Sequence, residues 1–145
     1  MARGYPDFSG ATAFPVRKHC RAQNSLVGVI AAGITAAAYN IAGQAVIDGG
    51  YLSFTTVGMP SDINLAVEID DQWIGWVNTG AALLFRLSGP VNFPFHITYF
   101  NADPLTVTVQ IVADYYCGYE YVFWVKNGTG NNLFLSGDIW YSDVT

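Results

Sequence analysis

Residues 31–54, AAGITAAAYNIAGQAVIDGGYLSF, decide how the rest of the chain is read. The stretch holds no basic residue and a single acid, Asp48, and glycines at 33, 43, 49 and 50 cut it into strand-length pieces. Tyr39 and Ile41 give a period-2 anchor to the second piece. Val46, Gly50, Leu52 and Phe54 share parity in the third, the pattern of a pleated element packed on one face. The Gly49-Gly50 pair predicts a bulge or a close backbone approach, because glycine inside a strand gives up side-chain packing for backbone geometry. The expected order is strand, turn, strand, tight turn, strand. No nucleophile, base or metal cluster falls here.

A competing reading takes Leu26 to Ile47, uncharged and preceded by Arg17, Lys18 and Arg21, as a bilayer span, since a run of roughly 20 apolar residues is long enough to cross. Composition argues against it. The run is mostly Ala and Gly, with Thr35, Tyr39, Asn40 and Gln44 inside, and lacks the Leu/Ile/Phe density that makes insertion favourable. As a secretory signal it fails too, because its cations sit about twenty residues in. No membrane partner is expected.

Working outward, strands are expected at about 25–32, 35–41 and 45–56 by the same periodicity. After Met59-Pro60-Ser61, Ile63, Leu65, Val67 and Ile69 alternate with Asn64, Ala66, Glu68 and Asp70, and Asp70-Asp71 turns the chain into a partner at 72–78. Residues 81–87 read as either a strand or one helical turn, and 88–94, with Gly89, Pro90 and Pro94, as a loop. Strand signals return at 96–100 and at 105–112, where Leu105, Val107, Val109 and Ile111 form one face. They continue at 115–126 and, after the polar loop Asn127-Gly128-Thr129-Gly130-Asn131-Asn132, at 133–142. Many short strands without an amphipathic helix predict an all-β fold, an antiparallel β-sandwich or jelly roll. Ile63, Leu65, Val67, Ile69, Leu105, Val107, Val109 and Ile111 are the predicted core.

With 145 residues the chain is one domain's worth, yet only 12% of it is charged, about half the usual share. Such a surface is expected to be covered, and further copies of the chain are the obvious cover. Aromatics at 15% fit interface cores. Residues 1–24 carry four cations against one acid, and residues 25–145 two against ten. We therefore divide the chain into an extended docking arm, 1–24, and a sandwich domain, 25–145. In the arm Tyr5, Phe8 and Phe14 are the apolar anchors, and Arg17, Lys18 and Arg21 face acidic patches of a neighbour. Gly4, Pro6, Gly10 and Pro15 keep the arm extended. Four spaced cations make a weak phosphate footprint, so nucleic acid is not an expected partner. Cys20 and Cys117 read as reduced thiols.

Catalytic material is sparse. His19 and His96 have no flanking triad signature, no phosphate loop or zinc spacing occurs, and His96 reads as a half-buried strand residue. Asp62, Glu68 and Asp70 spread along one strand instead of converging as calcium ligands must. No catalytic residue, cofactor or metal is expected. Trp73, Trp76, Tyr119, Tyr121, Trp124 and Trp140 are candidates for stacking on a cell-surface glycan or for filling a subunit interface. Asn127-Gly128-Thr129 matches a glycosylation sequon and is read as a turn.

The early Gly4-Tyr5-Pro6-Asp7, the AG-x-T … Y-N-I-x-G … V-I-x-GG-Y-L series and the D-I-N-L-A-V-E-I-D-D-Q-W-I strand and hairpin resemble small β-sandwich structural proteins of tailed phages and prophages. The resemblance covers about residues 4–75 and carries no catalytic residue. It implies a virion protein assembled in the host cytoplasm: a capsid decoration, tail or fibre-associated subunit. With the charge-poor, aromatic-rich surface, the expectation is a homo-oligomer, trimer or higher, among other virion proteins. A glycan- or receptor-binding sandwich is the alternative.

Overall fold

The computed structural model describes residues 17–80, 94–102 and 104–144, with backbone alone for 17–26. Among the described residues ten strands form two antiparallel sheets that pack face to face. They are β1 (Arg17–Ile30), β2 (Thr35–Ala42), β3 (Ala45–Thr56), β4 (Ile63–Ile69), β5 (Gln72–Asn78), β6 (Phe95–Ala102), β7 (Leu105–Ile111), β8 (Tyr115–Cys117), β9 (Glu120–Asn127) and β10 (Leu133–Val144). The six-stranded sheet runs β1-β10-β3-β7-β6, with β8 beside β3; the four-stranded sheet runs β2-β9-β4-β5. Helical backbone among the described residues is confined to a 3-10 turn at Pro60–Asp62 and to residues 79–80. Among the described residues no helix is long and apolar enough to cross a membrane, and the uncharged run 26–47 is divided among β1, β2 and β3.

Alternation places the core where the sequence puts it. Ile63, Leu65, Val67, Leu105, Val107, Val109 and Ile111 are all buried, and Ile69 packs against them from the hairpin end. From the other strands Tyr39, Ile41, Leu52, Phe54, Phe123 and Ile139 complete the layer. The Gly49-Gly50 expectation holds in both forms. The register of β3 on β10 shifts opposite Trp140 and Tyr141, Gly49 has φ 125°, and a Cβ on Gly50 would lie 2.5 Å from the Asp138 carbonyl oxygen. The same bulge overturns one expectation. An extra residue flips the pleat, so Ala45 and Ile47 pack with Leu52 and Phe54 in the core cluster, while Val46 is buried outside that cluster.

Two boundaries also move. Strand β1 begins at Arg17, not near 25, and Arg21 to Asn24 pair with Ser142 to Ile139 of the same chain. The segment 17–24, expected to leave its own sandwich, therefore belongs to it. The anchors Tyr5, Phe8 and Phe14, and most of 81–94, lie outside the described residues. The single strand expected over 115–126 is two: β8 pairs with β3 in one sheet and β9 with β2 and β4 in the other. Gly118 and Tyr119 carry the chain between sheets, a crossing that hydrophobic periodicity does not register.

At one end of the sandwich the loop after β9 is held by a buried amide. The Asn127 side chain is fully buried. Its Nδ2 donates to the carbonyls of Ile30 at 3.0 Å, Ala31 at 3.2 Å and Asn131 at 2.9 Å. Its Oδ1 accepts from the Thr129 backbone N–H at 3.0 Å and lies 2.6 Å from the Thr129 hydroxyl. The sequon asparagine thus ties two loops together and has no free face for a glycan.

Candidate functional site

The outer face of the four-stranded sheet carries the candidate site, and the β4–β5 hairpin builds it. Asp70 and Asp71 have φ of 50° and 65°, the left-handed pair that a two-residue hairpin turn requires and that Asp tolerates better than most residues. The turn sets Glu68 opposite Trp73. A register shift follows between Leu65 and Val67, so two residues of β5 face Ala66 alone. Strict alternation would turn Trp76 to the side opposite Trp73; the extra residue keeps both on the outside, 50% and 44% exposed.

Ala66 faces outward as expected, yet it is fully buried. It sits between β5 and Trp124 of β9, and its methyl group leaves room for the indoles to close over it. The Trp73 and Trp124 ring centroids lie 5.9 Å apart with planes 20° from parallel, and Trp73 and Trp76 lie 5.8 Å apart at 36°. Glu68 Oε1 accepts a 3.0 Å hydrogen bond from Trp124 Nε1, which orients that ring. The result is a continuous strip of three indoles crossing the sheet.

Beside the strip stand three carboxylates. Ligand oxygens of Glu68, Asp71 and Glu120 lie within 4.8 Å of one another. This corrects the expectation of carboxylates spread along one strand. The trio that converges replaces Asp62 and Asp70 with Asp71 and Glu120, the latter brought in by the β4–β9 register, which the sequence does not display. Asp62 sits in the 3-10 turn at the other end of β4. Three oxygens supply at most half of the six to eight that calcium takes. Tyr119, 52% exposed, donates to Asp71 Oδ2 at 2.6 Å; that bond to a carboxylate, with some desolvation, pushes its phenol up to about 12.

Asp70 holds the site together from behind. Its carboxylate accepts the backbone N–H of Gly118 at 2.7 Å, Tyr119 at 2.8 Å and Glu120 at 3.0 Å, the donors that the crossing between sheets leaves without ladder partners. Desolvation pushes this carboxyl up, but the three N–H donors outweigh it and hold it below the usual range. A depressed acid contributes stability that is present above its unfolded pKa of about 4 and is lost as pH falls through the folded value. Asp70→Asn, which keeps the left-handed turn, is expected to cost about 1–3 kcal/mol at neutral pH and to lose the acid-side fall in stability. Urea denaturation at pH 7 and pH 3 checks this, and an equal loss at both pH values would contradict it.

The six aromatics expected at a glycan or interface surface do not act as one set. Trp73, Trp76 and Trp124 form the strip, with Tyr119 joined through Asp71. Trp140 lies on β10 of the other sheet, its ring 6.5 Å from that of Tyr51. Tyr121 is a correction: it is 1% exposed, inside the core, where its hydroxyl has no hydrogen-bond partner among the described residues and burial pushes its phenol well above the ordinary value. The crossing at Gly118 and Tyr119 sets which way β9 faces. Arg17, Lys18 and Arg21 begin β1. Cys117 is a free thiol, fully buried, 3.4 Å from the Gly43 carbonyl oxygen. His96 is half-buried on β6, across the sandwich from the carboxylates. Compared with models of protein families and with curated proteins, the sequence matches none.

Proposed function

We propose that this chain is a non-catalytic structural subunit that assembles with copies of itself into a larger particle, with a phage or prophage virion as its setting. The observation that carries the reading is the distribution of exposed apolar side chains. Val27, Val29, Tyr99 and Phe134 stand out from the six-stranded sheet, Trp73 and Trp76 from the four-stranded sheet, and Ile34, Val57 and Met59 from the end loops. A module that binds one ligand needs one such patch; a subunit packed among neighbours needs several. We read the interleaving of β1-β10-β3-β7 with β2-β9-β4-β5 as jelly-roll wiring, an architecture that viral capsid and lectin domains share. That likeness supports the class and transfers no residue.

The non-catalytic reading is supported by the separation of His96 from the carboxylate trio. It is supported too by the engagement of Glu68 with Trp124 and of Asp71 with Tyr119. Glycan recognition is a second reading, favoured by the near-parallel Trp73 and Trp124 rings. The test of the first is association: the full chain should sediment as a multimer, and Val27→Glu with Phe134→Glu, both exposed, should dissociate it while leaving its circular dichroism unchanged. Unchanged association would clear the six-stranded sheet of this role.

A further inference from the structure

The strip of Trp73, Trp76 and Trp124, with its carboxylates, is a built surface that nothing in the described chain covers. We propose that residues 1–16 of one copy dock on this strip of a second copy. Docking in trans rests on the assembly reading; the identity of the surface rests on three observations.

The first is where the arm leaves the domain. Arg17 pairs with Val144, Asp143 with Ala45, Ala45 with Cys117 and Ala42 with Glu120. The arm therefore emerges at the same end of the sandwich as the Asp70-Asp71 turn and the carboxylate trio. The second is reach. Sixteen extended residues span up to about 55 Å, whereas a four-stranded sheet is about 15–20 Å across; the arm crosses to a neighbour and still covers the strip.

The third is chemical complementarity. Residues 1–16 carry one cation, Arg3, and one acid, Asp7, so the match to the strip is apolar and aromatic and not one of net charge. Within the arm, Tyr5-Pro6, Phe8 and Phe14-Pro15 are the residue types that extended, proline-bearing segments lay on aromatic surfaces. A guanidinium such as that of Arg3 stacked over an indole beside a carboxylate gains both cation–π and charge-assisted contacts. Lys126, the one cation of β9, sits at the opposite end of that strand, so it does not compete for the trio.

The test uses the full chain with a benzophenone amino acid in place of Phe8, prepared light and 15N-labelled and mixed in equal parts before assembly. Illumination followed by mass spectrometry should join the arm to peptides holding Trp73, Trp76 or Trp124, with about half of the joined pairs of mixed isotope. Trp73→Ala with Trp76→Ala should lower that yield at least about tenfold, as the loss of an anchor worth about 1.4 kcal/mol or more requires. Pairs of one isotope only would place the arm on its own sandwich, and joining to another surface would move it elsewhere. Either result in a sample that still sediments as a multimer overturns this docking and leaves the assembly reading standing, whereas a single-chain mass overturns both. Saturable quenching of the tryptophans by a neutral oligosaccharide, without arm crosslinks, would assign the strip to sugar instead.

Discussion

Asn127→Ala is expected to destabilise the domain by about 3–5 kcal/mol, out of the 5–15 kcal/mol that a domain of this size has. The side chain fills the gap between the β1–β2 turn and the loop after β9, and every polar atom on it is engaged. Alanine leaves the Thr129 N–H and the buried carbonyls that Nδ2 served without partners, each unmade bond costing about 1–3 kcal/mol where water cannot enter. The backbone bonds from Gly33 N–H to the Asn127 carbonyl and from Asn127 N–H to the Ile34 carbonyl, at 2.8 and 3.0 Å, soften the loss without replacing it. Asn127→Asp separates hydrogen bonding from volume. It keeps the shape but turns a carboxylate toward carbonyl oxygens, which raises its folded pKa. Its penalty should therefore be least below pH 4 and grow as pH rises through the folded pKa. Urea midpoints at several pH values give both results, and a midpoint for the alanine variant within about 1 kcal/mol of the parent would show that the network contributes little.

Gly137→Ala should cost about 3 kcal/mol or more through a different cause. Gly137 lies on β10 opposite Leu52 of β3, where the Tyr39 hydroxyl reaches from the other sheet to donate to the Tyr51 carbonyl at 2.6 Å. A methyl group there would meet the Tyr51 carbonyl oxygen and lie 2.5 Å from the Tyr39 hydroxyl, closer than real contacts allow. One obstacle is backbone, so relaxation is limited and overpacking costs about 1–3 kcal/mol; displacing the buried Tyr39 hydroxyl adds an unmade hydrogen bond. A double-mutant cycle with Tyr39→Phe isolates that second part. Gly137→Ala should cost less in the Tyr39→Phe background, and strict additivity would show that the phenol is not displaced.

These two residues mark what the sequence reveals and what it hides. The alternation in 63–69 and 105–111 reads directly into the core because a strand with one buried face has little choice of side chain. The Asp70-Asp71 turn is legible for a similar reason, being local. The bulge at Asp48 is half legible: the glycine pair announces irregular backbone, while the flip that admits Ala45 and Ile47 depends on β10. Position 137 gives no sign of its role, since what excludes a methyl group arrives from β2 and β3. The Trp strip was legible as residue types and illegible as a surface, because Trp76 shares the side of Trp73 only through a second bulge. Glu120 reaches Glu68 and Asp71 only through the β4–β9 pairing, and the inward turn of Tyr121 is hidden because nothing local signals the crossing at Gly118.

As proposed, the chain is one of several packed copies, with its exposed apolar side chains covered by neighbours. Sedimentation equilibrium of the full chain at micromolar concentration tests it most directly. The expected mass is at least three times the 15.7 kDa of one chain, falling only on strong dilution; a mass of one chain across the whole concentration range would overturn the assembly reading.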